Sequence, residues 1–210
     1  MLVGTVASIW RYPVKSLSGE RLRDAVVDAA GIPGDRRSAL FVRAGHARTG
    51  NTYRGKEHER LHTLHAAQEA VAIAAERGIA LEAVAGEHFF DAAPLSIVVD
   101  RWLEDVSEHV GFQVEPGRFR PNIFVRASEA FTDAEKTLTG ALLQIGSLQL
   151  RVRGPITRCV TITYAPDGAS AQREVLRYIA KARNAWMGIY CDVVRAGSLA
   201  DSDEVRTLPE

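Results

Sequence analysis

The fold is indicated first by one stretch near the amino terminus, which reads Leu2-Val-Gly-Thr-Val-Ala-Ser-Ile-Trp-Arg-Tyr-Pro13. Its β-branched and apolar residues are typical of a strand, and Pro13 ends regular pairing because proline has no backbone N–H to donate. After a polar turn, Leu22–Val27 and Ser38–Val42 have the same character, and Gly31-Ile-Pro-Gly34 predicts a tight connection between them. Three short strands this close together predict an antiparallel or barrel-like β-structure.

The rest of the chain continues this pattern and adds few helices. An apolar strand at Leu95–Val99 precedes an amphipathic helix that Asp100 caps and Gly111 ends. Further strands are predicted at Ile123–Val125, Ala141–Ile145, Leu148–Val152, Thr161–Tyr164 and Met187–Val194, and a further helix from Ser170 to about Arg183. Gly146-Ser147 predicts a hairpin turn. About ten strands, two or three helices and no βαβ alternation exclude a doubly wound sheet or a TIM barrel.

Residues 57–77 allow two interpretations. Leu61, Leu64 and Ala67 begin an apolar series at helical spacing, whereas the β-branched stretch at 71–73 can also pair with 79–84 across a turn at Arg77-Gly78. We favour a short helix followed by a hairpin.

Composition places the chain among ordinary globular proteins. Its 210 residues are 46% hydrophobic and 25% charged, which argues against disorder, collagen-like repeats and coiled coils. No apolar run is long enough to span a bilayer, and the amino terminus lacks the features of a signal peptide, so we expect a cytoplasmic protein. Two cysteines are too few for a disulfide framework or a protein-held iron–sulfur cluster.

The net charge of zero conceals a segregation of charge along the chain. Residues 1–62 carry a net charge of +5, residues 63–117 carry −8, and residues 118–158 carry +4. The neutral total argues against binding to nucleic acid or to an anionic membrane. The two basic stretches can nevertheless converge on one small anionic ligand.

Individual residues carry the chemical signals, because common phosphate-loop, hydrolase and zinc motifs are absent from the sequence. Cys159 follows a proline-led turn, Gly154-Pro-Ile-Thr-Arg-Cys159, and a neighbouring arginine favours the thiolate that attacks substrates or ligates a soft metal. The alternative is a small buried apolar residue. Cys191 has no basic neighbour in sequence, and we expect it to be a core residue.

Three other segments offer donors for an anion. Arg118-Phe-Arg120-Pro-Asn122 would place its polar side chains on one strand face, or would form a solvated face with no ligand. Tyr12-Pro-Val-Lys15-Ser16 presents an ammonium and a hydroxyl on a turn, and Gly34-Asp-Arg36 is similar. The alternative for the first segment is an exposed loop, and the alternative for the second is a capping role for Asp35.

His58, His62 and His65 have the spacing of one helix face, which would suit zinc or haem. No acidic or cysteine partner is fixed beside them in sequence, which weakens a metal hypothesis. Asp91, Asp167 and Asp192 have no carboxylate partner at a spacing diagnostic of a glycosidase or an aspartic dyad.

Taken in order, several segments resemble the MOSC-domain family, named for the C-terminal domain of molybdenum cofactor sulfurase. The likeness is to the branch of the mitochondrial amidoxime-reducing component and its bacterial counterparts. The matching segments are Tyr12-Pro-Val-Lys-Ser16, Gly31-Ile-Pro-Gly-Asp-Arg36, Phe89-Phe-Asp-Ala-Ala-Pro-Leu95, Arg118-Phe-Arg-Pro-Asn-Ile123, the stretch from Ile145-Gly through Pro155-Ile-Thr-Arg-Cys159, and Gly188-Ile-Tyr190.

This resemblance implies an α+β, mainly β fold with two or three helices. An N-terminal β-barrel subdomain at residues 1–90 would be intertwined with a MOSC-type barrel at residues 91–210. The cofactor implied is a molybdenum cofactor of the molybdopterin type, with Cys159 as the thiolate ligand of molybdenum and as the catalytic residue. The residues implied to surround the pterin and its phosphate are Lys15, Ser16, Arg36, Arg120, Asn122, Thr157 and Tyr190. The family also carries an association with pyridoxal phosphate binding.

The implied function is an oxidoreductase that reduces N-hydroxylated or N-oxygenated small molecules. The chain shows no counterpart of the ferredoxin-like domain that some relatives carry, so electrons would come from a separate protein. Ala92-Ala93 replaces a hydroxyl-bearing pair expected before Pro94, and the segment at 197–204 lacks the usual Gly-Asp pair. The alternative is a non-catalytic carrier or insertion protein for the cofactor or for sulfur that uses Cys159.

Overall fold

The computed structural model of the chain describes residues 1–86, 88–168 and 170–209. Its strands are β1 (Leu2–Arg11), β2 (Glu20–Leu22), β3 (Asp24–Val27), β4 (Ser38–Ala44), β5 (Ala80–Ala85), β6 (Leu95–Val99), β7 (Ile123–Ala127), β8 (Leu142–Ile145), β9 (Leu148–Thr157), β10 (Trp186–Arg195), β11 (Gly197–Ala200) and β12 (Glu204–Thr207). The helices are α1 (Ala67–Ala75), α2 (Asp100–Val110) and α3 (Arg173–Ala182), and short 3₁₀ helices lie at Leu61–Thr63, Pro116–Phe119 and Val160–Thr163.

A closed barrel organises most of the described chain. Its strands follow the order β12-β8-β9-β10-β6-β7-β1, and a pairing between β12 and β1 closes the ring, while β2 pairs with the free end of β1. Inward-facing residues such as Ile9, Ile123 and Ile145 are fully buried, and they alternate with more exposed residues along the strands. The mainly β, α+β class predicted from the sequence is therefore confirmed.

One crossover in the barrel contradicts the expectation of no βαβ unit. Strands β6 and β7 are parallel neighbours, and α2 connects them. The apolar face of α2 buries Trp102, Leu103 and Val106, and Gly111, at φ 80°, ends the helix as predicted. Parallel pairing needs a crossover of this kind because the chain must return to the end of the sheet from which it started. Because a doubly wound sheet repeats such βαβ units and only one is present in the described chain, that fold is still excluded.

A smaller unit forms beside the barrel from β4, β5 and α1. Its separate apolar cluster includes Leu40, Tyr53 and Leu61, and the small buried residues Ala70 and Ala74 allow α1 to lie close to the two strands. The predicted helix within 57–77 is thus confirmed. The hairpin predicted after it is wrong, because β5 pairs with the distant β4.

Several other boundaries differ from the sequence predictions. The strand predicted over Leu22–Val27 divides at Arg23, because β2 pairs with β1 whereas β3 pairs with β11. The strand predicted at Thr161–Tyr164 is instead the 3₁₀ helix Val160–Thr163. Helix α3 begins after Gln172, whose N–H donates to the Thr163 carbonyl at 2.8 Å, so Ser170 is not its cap.

The amino-terminal part of the chain contributes directly to the barrel. Strand β1 pairs with β7 on one side and with β12 on the other, so residues far apart in sequence share one sheet. The division into parts at 1–90 and 91–210 stays a prediction. None of the helices in the described ranges is both long and apolar enough to cross a membrane.

Candidate functional site

A cavity of about 330 Å³ opens where the turns after β1, β4 and β9 meet. This volume is at the lower end of the range of roughly 300–1,000 Å³ found for small-molecule sites. Its described lining residues are Lys15, Ser16, Arg36, Arg54, Gly55, Lys56, Asp91, Ser96, Arg118, Phe119, Arg120, Ile156, Thr157, Arg158, Cys159, Thr161, Ile162 and Tyr190. Within this lining, seven lysine and arginine residues stand against one carboxylate, so the cavity favours an anion.

The structure brings most of the sequence-predicted site residues to this one cavity. Those that line it are Cys159, Lys15, Ser16, Arg36, Arg120, Thr157 and Tyr190. Apart from Cys159, which directly follows the second basic stretch, they come from the two basic stretches and from β10, so the convergence of the basic stretches that the charge pattern suggested is observed. For Tyr190, burial raises the pKa of the phenol, so it lines the cavity as a neutral hydroxyl.

Asn122 is the exception, because it lies behind the cavity wall. It is 1% exposed, and its Oδ1 accepts hydrogen bonds from the backbone N–H and the hydroxyl of Ser96 at 3.2 and 3.1 Å. Its Nδ2 donates to the Trp10 carbonyl at 3.3 Å, and its Oδ1 lies 3.4 Å from Arg36 Nη1. Asn122 therefore joins β1 to β6 and reaches the cavity through Arg36.

Backbone strain is concentrated at the cavity. Ser16, Arg36 and Arg120 adopt left-handed conformations, with φ of 74°, 48° and 51°. Side-chain-bearing residues take this conformation at a cost, and such residues are often found at binding sites. The single strand face predicted for Arg118, Arg120 and Asn122 is therefore wrong, because the chain turns at Arg120 and β7 begins only at Ile123.

Arg118 consequently has a different environment from Arg120. Its side chain is fully buried, and Nη1 donates to the carbonyls of Ile162 and Thr163 at 3.3 and 3.1 Å. It thus ties the 3₁₀ helix before β7 to the one after Cys159, and most of its donors are used within the protein.

Arg120 and Arg158 each keep one terminal guanidinium nitrogen without a partner in the described part of the chain. The Nη2 atoms of both are buried and have no hydrogen-bond partner among the residues that the structure describes. Burial lowers the pKa of each guanidinium to about 10, so both remain charged at neutral pH. A buried charge with an unsatisfied donor is costly unless a partner is supplied, and an anionic ligand would supply one.

Arg158 is a site residue that the sequence indicates only indirectly, through its place before Cys159. Nε donates to the Met187 carbonyl at 2.8 Å, and Nη1 donates to the Phe119 carbonyl at 3.0 Å. These bonds fix the side chain between the start of β10 and the turn that carries Arg120. Its guanidinium therefore faces the cavity in a single orientation.

The two cysteines differ as the sequence suggested. Cys159 is exposed at the cavity, immediately before the 3₁₀ helix Val160–Thr163, and its Sγ lies 3.4 Å from Thr161 Oγ1. Cys191 is 0% exposed within β10, and burial raises the pKa of its thiol. Cys159 is thus the thiol available to a ligand, and Cys191 is a core residue.

A loop after β4 completes the wall and was not predicted. Arg54, Gly55 and Lys56 line the cavity, and the Gly55 N–H donates to Ser16 Oγ at 3.0 Å. A Cβ at Gly55 would lie 3.0 Å from Thr161 Cγ2, so glycine allows this loop to close against the segment after Cys159. These segments come together only in the folded chain, and no local sequence pattern predicts their contact.

The histidine and aspartate candidates lie in other arrangements. His58, His62 and His65 do not share a helix face, since the only helical residue among them, His62, belongs to a short 3₁₀ helix. The described residues contain no cluster of three or more His, Cys, Asp or Glu side chains suited to a metal. Asp91 pairs with Lys15 at 2.6 Å and Asp192 with Arg153 at 2.5 Å, so each has a basic partner.

Known families and structures match this architecture. Residues 85–206 match the model of the MOSC domain, and residues 3–90 match that of the MOSC N-terminal β-barrel domain. A curated relative, mitochondrial amidoxime reducing component 2 of Macaca fascicularis, is 30% identical over 128 residues. That alignment covers 55% of this chain and 37% of the relative, so the matched region spans well under half of that protein.

Solved structures share the fold at low sequence identity. The YuaD protein from Bacillus subtilis has a TM-score of 0.58 and 17% identity, with coverage of 96% of this chain and 93% of its own. A second crystal structure, described as a hypothetical protein, has a TM-score of 0.54 and 11% identity, and covers 100% of this chain and 70% of its own. At these identities the likeness concerns the fold alone.

Proposed function

Because the chain belongs to the MOSC domain family, we propose that its basic cavity binds a molybdenum cofactor of the molybdopterin type. The observation that carries this proposal is a pair of buried Nη2 atoms, those of Arg120 and Arg158, that have no partner among the described residues and lie in the same cavity as the exposed thiol of Cys159. Guanidinium groups suit a phosphate, and a thiolate suits a soft metal. The cavity therefore offers guanidinium groups for the phosphate of such a cofactor and a thiol for its metal.

The remaining residues fit the same ligand. Lys15, Ser16 and Arg36 would hold the phosphate together with Arg120, while Thr157 and Tyr190 would face the pterin. Cys159 would be the protein ligand of the metal and the catalytic residue. Asn122 would act through Arg36, since it is buried behind the wall. These roles match the chemistry of each side chain with the part of the ligand that it would face.

The reaction that we propose is the two-electron reduction of N-hydroxylated or N-oxygenated small molecules. The bound cofactor would supply oxygen-atom-transfer chemistry. Removal of the oxygen as water needs two electrons and two protons, and we propose that a separate donor protein supplies the electrons. The curated relative is named an amidoxime reducing component, which supports this class of substrate. The cytoplasmic location and the absence of nucleic-acid or membrane partners stay predictions.

The protein's own groups would prepare the site for this chemistry. The fixed guanidinium of Arg158 and the strained turns at Arg36 and Arg120 keep cationic donors in place before any ligand arrives, so little reorganisation is needed on binding. The exposed position of Cys159 leaves its thiol accessible to a small molecule that enters the cavity.

The same exposure favours a second candidate function. A carrier that passes the cofactor or a sulfur atom to another protein also needs an accessible thiol, and Cys159 offers one. The carrier predicts transfer to an acceptor apo-enzyme and no turnover of an amidoxime with a chemical reductant. The reductase predicts turnover under the same conditions.

The test begins with the chain purified from a host that makes the cofactor. Molybdenum is measured by mass spectrometry and the pterin by fluorescence after oxidation, and an absorbance spectrum tests the association with pyridoxal phosphate. We expect metal and pterin in the wild type, loss of pterin in Arg120→Gln, and loss of metal in Cys159→Ser. Arg126→Gln, on the exposed face of β7, is the matched control. If the wild type contains neither molybdenum nor pterin, the proposal is wrong.

A further inference from the structure

Two cavity arginines rest on a single aromatic ring. The guanidinium carbon of Arg120 lies over the Tyr12 ring, 4.2 Å from its centroid, and that of Arg36 lies 4.8 Å from the same centroid. Tyr12 is 3% exposed and does not line the cavity itself. Attraction between a cation and an aromatic face is strongest where water is excluded, as it is here.

The polar groups of Tyr12 join the turns that carry these arginines. Its backbone N–H donates to Asp35 Oδ1 at 2.7 Å, and its carbonyl accepts the N–H of Arg36 at 2.7 Å. Its hydroxyl donates to the carbonyl of Pro121 at 3.1 Å, next to Arg120. Burial raises the pKa of Tyr12 to about 12, although both arginines oppose this, so the hydroxyl remains a donor.

The arginines need such support because their charges repel each other. Asp35 pairs with Arg36, but the Nη1 of Arg120 donates only to the Leu17 carbonyl, and its Nη2 lacks a partner in the described part of the chain. The nearby positive charge of Arg36 contributes to the lowered pKa of Arg120, after burial. A flexible, repelled guanidinium would rotate away from its neighbour and lose its orientation.

We propose that Tyr12 is a positioning residue whose ring face holds Arg36 and Arg120 in the orientation that binds a phosphate-bearing anion. The ring, rather than the hydroxyl, performs this role, since the ring is what both guanidinium groups contact. The inference rests on the proposed function only in requiring that the cavity binds an anion.

The test separates the ring from the hydroxyl. In the full chain, Tyr12→Phe keeps the ring face and removes the bond to Pro121, so we expect a lower melting temperature with an affinity for inorganic phosphate within about twofold of the wild type. Phenylalanine analogues with one, two and three ring fluorines at position 12 keep the shape but weaken the negative face. Phosphate affinity, measured by calorimetry, should fall stepwise over this series, by roughly three- to tenfold, at constant melting temperature.

The same series at Tyr178 is the matched control, because that ring contacts His109 and Asp105 and does not line the cavity. A flat series at position 12, an equal fall at position 178, or a loss of phosphate binding in Tyr12→Phe overturns the inference. If the wild type retains phosphate and pterin while the series is flat, only this inference fails. If the wild type binds neither, the proposed function fails as well.

Discussion

Lys15 Nζ lies 2.6 Å from Asp91 Oδ1, an ion pair at the edge of the cavity that joins the turn after β1 to the segment before β6. The Lys15 side chain is 22% exposed, whereas that of Asp91 is 72% exposed. An exposed pair of this kind contributes little to stability. Its larger effect is on the ligand, because Asp91 is the only carboxylate among the described residues of the lining.

Replacement of Asp91 with Asn should therefore tighten the binding of an anion. The change removes a negative charge from the cavity and frees the Lys15 ammonium, so we expect phosphate affinity to rise roughly two- to fivefold at low salt. Calorimetric titration measures the change, and Glu204→Gln, in an exposed pair with Arg206 at 2.8 Å, is the control. Weaker binding in Asp91→Asn would show that Asp91 orients Lys15 instead.

Alkylation should distinguish the two cysteines. We expect iodoacetamide to modify Cys159 in the native protein and to leave Cys191 unmodified, because Cys159 is exposed while Cys191 is buried with a raised thiol pKa. Peptide mass spectrometry locates the adduct, and Cys159→Ser should abolish native labelling. In urea, iodoacetamide should modify both Cys159 and Cys191. Rapid native modification of Cys191 would contradict the packing of β10.

The sequence predicted local elements well where one residue type decides the geometry. The positive φ of Gly111 ends α2, and Gly146, at φ 53°, turns the hairpin between β8 and β9. The sequence pattern did not predict the short strands β11 and β12. Each depends on partners distant in sequence: β11 pairs with β3, and β12 pairs with both β8 and β1. Strand formation depends on neighbours across the sheet, and a single sequence does not name those neighbours.

In the candidate site, too, the sequence predicted the residues with a distinctive local setting and missed those placed by distant contacts. Lys15, Arg36 and Cys159 have unusual sequence neighbours, and the sequence analysis identified them for that reason. The loop at 54–56 has no distinctive local pattern, and it reaches the cavity only because Gly55 packs against Ser16 and Thr161. Asn122 has a distinctive setting but a buried position, which only the three-dimensional packing of Ser96 and Trp10 around it determines.

Stability should fall in mild acid because of two histidines, the buried His58 and the half-buried His62. Burial is the main cause that lowers the pKa of His62 and of His58 below the ordinary 6.5. For a lowered histidine pKa, the unfolded state binds the proton first, so the contribution is present above about pH 6.5 and is lost as the pH falls below it. We expect the free energy of unfolding to decrease between about pH 7 and pH 5.

The His62→Gln variant should make this decrease smaller. The glutamine amide can still donate a hydrogen bond to the Ala165 carbonyl, which lies 2.7 Å from His62 Nε2 in the wild type. Unlike histidine, glutamine does not titrate. Urea unfolding at each pH measures the slope, and His65→Gln, at an exposed position, is the control. Equal slopes in the wild type and His62→Gln would show that this ring does not contribute.

The buried pair of Glu135 and Arg183 should be more sensitive to mutation than an exposed ion pair. Two hydrogen bonds of 2.8 and 2.9 Å join Arg183 Nη2 to the carboxylate, whose side chain is 4% exposed. Arg183 Nη1 also donates to Asp105 at 2.6 Å, so one guanidinium links α2 and the end of α3 to the segment that carries Glu135.

Removal of one charge from a buried pair leaves the other poorly compensated. Because Arg183 is 15% exposed and keeps Asp105, we expect Glu135→Gln to lower the free energy of unfolding by about 3 kcal/mol, at the lower end for such losses. Glu104→Gln, in an exposed pair with Arg101, should change it by less than about 1 kcal/mol. Urea denaturation compares the two variants. If their unfolding midpoints coincide, solvent reaches the Glu135 pair and compensates its charge, and the link between α2 and α3 does not depend on it.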